Sequence, residues 1–156
     1  MKRLEKILFI TLLGFFISCG EDVVPTALED GWTLWDTGLY PEAHAKFVEA
    51  GGSEGLNGLG WTTLKMDSLD RSEIYFALAA VGGRDTLTDA MAGLTLAAWQ
   101  QGDHQISLKA ANYVLRKEPE YVFSHDPEVT IHKIILAKAY DEYHLGMYAE
   151  CIASIH

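Results

Sequence analysis

A chain of 156 residues with 49% apolar content can form one domain with a modest core and is too apolar for a disordered segment. Its net charge of −10 makes nucleic acid and bare anionic lipid poor partners. With only two cysteines, Cys19 and Cys151, a disulfide-stapled scaffold is excluded and the fold must hold by packing.

The chain opens with a basic head, Lys2, Arg3 and Lys6, followed by an apolar run over residues 7–17. That run is too short to cross a bilayer, which needs ~20 residues, and matches the hydrophobic region of a secretory signal. It ends in Phe16, Ile17, Ser18, Cys19 and Gly20. This ending resembles the lipobox of bacterial lipoproteins, with Phe16 where that family usually has leucine. The resemblance implies a signal peptide over residues 1–18, lipidation of Cys19, and a lipidated tether over residues 19–26. Cleavage there would remove three basic residues and one acidic one, leaving an even more acidic chain.

Beyond the tether, apolar residues recur at helical spacing with almost no alternating β-branched run, so the expected class is all-α. Turn clusters at Gly38, Gly51 and Gly52, Asp67 and Ser68, Gly82 and Gly83, Gly102 and Asp103, Pro119 and Gly146 divide residues 27–156 into about eight helices.

The segments repeat one another. Residues 31–47 align with residues 60–76 without a gap, a third copy begins at Thr95, and a fourth at Ala139. Small residues Gly31, Gly60, Thr95 and Ala139 fall midway along each first helix. Gly38, Asp67, Gly102 and Gly146 end it, and Ala43, Ser72, Ser107 and Cys151 open the second helix. This pattern resembles the tetratricopeptide repeat, and Asn57 to Trp61 is similar to a common variant of that motif's first helix. The resemblance implies an α-solenoid of about four repeats, near 27–51, 53–82, 85–118 and 127–156, the last incomplete. The closing proline of the motif survives only as Pro119. The first junction is shortened to Gly51 and Gly52. The last is lengthened over residues 121–128, where Asp126 before Pro127 reads as the N-cap and first turn of the next helix. Irregular stacking is expected, with an uncapped apolar face at the end.

In tetratricopeptide arrays the first helices line a concave surface. The resemblance places Trp32, Trp61, Leu96 and Tyr140 there, with Trp35, Leu64, Trp99 and Tyr143 one turn on. All four tryptophans of the chain are in this set. Being three apart, the members of each pair share a helix face. One reading makes the stripe core. The other makes it a groove for a peptide, a partner helix or a sugar face, with Asp36, Lys65, Gln100 and His144 as its polar rim.

Other chemistry finds little support. His125, Asp126 and His132 lack the i, i+4 spacing of paired metal ligands, and Asp141, Glu142 and His144 face different directions on one helix, so no metal site is expected. There is no nucleophile elbow and no phosphate loop; Gly82, Gly83 and Arg84 form an ordinary loop, and Cys151 sits where the repeat needs a small packed residue. No enzyme activity and no cofactor are expected. The expected role is a membrane-tethered interaction or assembly module of the bacterial cell envelope, placed on the outer membrane in a diderm source. It would meet another envelope protein or a peptide segment and touch the membrane through its lipid alone. The alternative is a ligand-binding lipoprotein that stacks a glycan or small solute on its tryptophans.

Overall fold

The computed structural model describes residues 26–84 and 87–155. The expected signal peptide, Cys19 and most of the expected tether lie outside these residues. Eight helices and one short hairpin occur among the described residues. They are α1 (Ala27–Asp36), α2 (Tyr40–Ala50), α3 (Gly52–Lys65), α4 (Leu69–Gly82), α5 (Leu87–Gln101), α6 (His104–Lys117), β1 (Val122–Phe123), β2 (Asp126–Thr130), α7 (Ile131–His144) and α8 (Tyr148–Ser154). None of these helices is long and apolar enough to cross a membrane.

Local chemistry sets the helix ends. Thr26 and Glu29 form a reciprocal capping box, with Thr26 N–H donating to Glu29 Oε2 at 2.7 Å and Glu29 N–H to Thr26 Oγ1 at 3.3 Å. Pro41 stands in the first turn of α2, where no backbone donor is missed. The turns inside the four helix pairs are reversed at Gly38, Asp67, Gly102 and Gly146, all with positive φ. Asp67 is the only non-glycine with positive φ among the described residues. Gly51 serves at once as C-cap of α2 and N-cap of α3, which makes that junction short.

Each helix packs on the next, and the odd-numbered helices also touch one another in succession, so they form the inner wall of the stack. Two phenylalanines lock neighbouring pairs together. Phe47 of α2 lies over Gly31 of its own pair and Gly58 of the next; a Cβ at those glycines would meet its ring at 2.6 Å and 2.3 Å. Phe76 of α4 repeats the arrangement over Gly60 and Gly93, where a Cβ would sit 2.6 Å and 2.1 Å from the ring. The small residues opening α4 and α6 add a hydrogen bond. Ser72 Oγ donates to Gly60 O at 2.9 Å and Ser107 Oγ to Thr95 O at 3.1 Å, so the two small positions of each of these pairs meet.

Residues 126–130 depart from the sequence expectation. Asp126 and Pro127 do not start a helix; they lie in β2, and α7 begins at Ile131 after an extended Thr130. The strands are antiparallel, pairing Val122 with Thr130 and Phe123 with Asp126 across an irregular register. Asp126 still caps locally, because its Oδ1 accepts from Glu128 N–H at 3.1 Å. The fixed φ and missing donor of Pro127 suit a strand edge as well as a first helical turn, and burial decides between them: Tyr121, Phe123 and Val129 all point into the core.

Candidate functional site

The inner wall carries every groove residue expected from the sequence, but the hairpin sits on its first two thirds. Phe123 stacks on Trp61, ring centroids 4.0 Å apart and planes 15° from parallel, and meets Trp32 and Trp35 edge-on at 5.9 Å and 5.8 Å. His125 stacks on Trp32 at 4.0 Å. Trp61 and Trp35 are consequently only 1% and 4% exposed, and Leu96 is buried beside them. Trp32 and Leu64 are half-buried. A sugar or peptide placed against Trp32 or Trp61 would have to displace these rings of the chain itself.

Three polar clasps fasten the hairpin, one to each of the first three odd helices. His125 Nδ1 lies 2.9 Å from Asp36 Oδ1 of α1. Lys65 Nζ of α3 pairs with Asp126 Oδ2 at 2.7 Å while also lying 5.4 Å from the Trp35 ring centroid. Burial works to raise the Asp126 carboxyl, but the Lys65 bond and the Glu128 N–H outweigh it and hold it below the usual carboxylate range. Tyr121 donates its hydroxyl to Asp89 Oδ1 of α5 at 2.8 Å. Burial, reinforced by that carboxylate, pushes the Tyr121 phenol far up, and burial also raises Asp89. Beside the Lys65 clasp a cavity of about 130 Å³ is lined by Leu64, Leu96, Gln100, Val129 and Lys133.

The wall differs beyond the hairpin. Trp99 is half-buried and meets Tyr140 edge-on at 5.9 Å, while Tyr140 and Tyr143 are 45% and 59% exposed and Gln100 and His144 are exposed. His144 stacks on His104 at 4.6 Å and lies 4.3 Å from the Tyr140 ring. His104 Nδ1 in turn reaches Asp141 Oδ1 at 2.9 Å. Asp141 is fully buried between α6 and α7, its Oδ2 has no partner, and burial pushes its carboxyl up against the pull of His104. Glu142 is also buried, paired with Lys138 and accepting from Ser154 Oγ at 2.7 Å. Among the described residues no three histidine, cysteine or acidic side chains stand close enough together to hold a metal ion.

Sequence reasoning missed Tyr121, Phe123 and His125, and with them the clasp residue Asp89. The available signal was the alternation of Tyr121 and Phe123, buried, with Val122 and Ser124, exposed, ahead of Pro127.

No family model matches the chain, and no curated protein matches it in sequence. Six solved chains match it in structure. A crystal structure of MamA superposes with a TM-score of 0.67 at 17% identity, covering 82% of this chain and 71% of that one. A structure described as MamA MSR-1 C2 gives 0.66 at 16% identity, covering 82% and 70%. The fold is all-α and of the tetratricopeptide type. At these identities the likeness concerns the fold alone.

Proposed function

We propose that this chain is an interaction or assembly module of a bacterial cell envelope, tethered by lipid on Cys19, and that it meets its protein partner at the open end of the inner wall. The observation that carries the reading is the contrast along the wall. The chain's own hairpin fills the stretch around Trp35 and Trp61, whereas Tyr140, Tyr143 and His144 stand exposed beside Trp99. Exposed tyrosines offer large apolar area with a polar tip and lose little side-chain freedom on contact, which suits them to protein interfaces. The tether rests on the sequence pattern at residues 16–20.

Two measurements test the reading. Cys19→Ala should move the protein from the membrane to the soluble fraction; a variant that stays on the membrane overturns the anchor. A photo-crosslinking residue at position 143 should capture one envelope protein, with capture lost in Tyr140→Ala. If crosslinks from position 143 are no more specific than those from an outward position on α4, the open end is not the contact.

A further inference from the structure

The outer faces of the even-numbered helices are not alike. On α6 the exposed positions are polar, with Gln105, Lys109, Asn112 and Arg116 in turn. On α4 they are Arg71 and then Ile74, Leu78 and Val81, which are 57%, 51% and 89% exposed and follow one another at helical spacing. Residues 74–83 contain no charged side chain. The opposite face of α4 buries Phe76 and Ala79, so this helix is apolar on both sides. A helix of that kind is normally covered all round, and large apolar side chains grouped in water mark a contact surface.

The strip continues onto α2. Successive helix hairpins run α2 and α4 in the same direction, and between them His44 meets Tyr75 edge-on at 6.5 Å. One turn further along the two helices stand Val48, 58% exposed, and Leu78. Toward their N-terminal ends lie Glu42 of α2 and Arg71 of α4, both exposed and neither in an ion pair among the described residues.

The patch thus carries its own complement. An acid on one helix and a base on the other stand at the same end, with apolar side chains beyond them. A two-fold axis along the helices lays α2 of one copy over α4 of another, so that each Arg71 faces the other copy's Glu42 and each Val48 the other's Leu78. A chain of net charge −10 repels its own kind over most of its surface, and the uncharged stretch of α4 is where that repulsion is least. The 14 residues of α4 span about 21 Å, and two helices side by side about 20 Å, a footprint of roughly 400 Å² per copy. That is about half of a standard interface, which places the contact among the weak, exchanging ones.

We propose that a second copy of this chain docks on the outer face of α2 and α4, with Arg71 and Glu42 paired across a two-fold axis. This face belongs to the outer helices and stands whether or not the open end of the inner wall is a partner contact.

The test places a photo-crosslinking residue at position 78 of the full chain, produced with two different tags in one cell. Illumination should give a product of twice the chain's mass that carries both tags, whereas a crosslinker at position 105 on α6 should not. Arg71→Glu and Glu42→Arg, both at exposed positions, should each lower the product at least fivefold at unchanged helical content. When one copy carries Arg71→Glu and the other Glu42→Arg, every pair is again an acid facing a base, and the doubly tagged product should return to the parent yield. The proposal is overturned if no doubly tagged product forms, if position 78 links instead to another protein or to lipid, if position 105 gives as much product, or if the mixed pair stays as low as either variant alone.

Discussion

The same repeat position has opposite fates at the two ends of the inner wall. Trp32 and Trp61 follow the small mid-helix residues Gly31 and Gly60, as Tyr140 follows Ala139, yet the first two lie under aromatic rings from the hairpin and Tyr140 stays 45% exposed. The helices are alike, so what separates the ends is the long connection over residues 118–130 between α6 and α7. A repeat architecture thus defines which side chains line the wall, and an irregular connection defines which of them remain available. The junctions differ too. Between the first three pairs the packing is ring against glycine, while α7 brings two buried carboxylates, Asp141 and Glu142, to its contacts.

The largest expected effect breaks the closed end. Phe123→Ala removes a ring that touches Trp32, Trp35 and Trp61, and should cost about 3 to 5 kcal/mol in denaturant unfolding. A loss below about 1 kcal/mol, within the range of ordinary surface substitutions, would show that the hairpin is a loose cover and not core. Next comes Gly58→Ala, which sets a methyl 2.3 Å from the Phe47 ring and should cost about 1 to 3 kcal/mol through overpacking. Gly38→Ala adds no such contact and is strained only by its positive φ, so the gap between the two variants measures the ring-on-glycine lock.

Smaller effects belong to the open end. Because burial raises the Asp141 carboxyl, folding favours its protonated form. That contribution is present at low pH and is lost as pH rises through the folded value. Asp141→Asn, which removes the charge, should therefore be more stable than the parent at pH 8, with the gap narrowing as pH falls into the carboxylate range in thermal unfolding. A gap that stays near zero at every pH would mean that the carboxylate is fully compensated by its neighbours. Tyr143→Ala should change stability by less than about 0.5 kcal/mol, since the side chain is exposed and α7 keeps its buried face. A cost several times larger would place Tyr143 in the fold and not at a contact.

Much of the frame was legible in the sequence because it depends on near neighbours. Gly38, Asp67, Gly102 and Gly146 could be read as turns, since each needs a left-handed backbone, and the small pairs such as Gly60 with Ser72 could be read from their recurrence. The hairpin could not be read with the same ease. An aspartate before a proline has one local signature for a helix start and a strand edge, and the buried alternation of Tyr121 and Phe123 covers too few residues to stand out. Whether the tryptophans were groove or core turned on that misread segment, so periodicity within each helix left both open. The pairing of His104 with Asp141 was likewise hidden, because it joins residues on two helices.

The clasp between Asp36 and His125 spans 89 positions of the chain. The first two helix pairs form through contacts close in sequence, whereas the residues that roof them must be brought back across that whole span. Until then Trp35 and Trp61 face water as an apolar strip on a half-built molecule. Closing so long a loop is slow compared with helix formation, and the delay sets the window in which the folding chain is open to association.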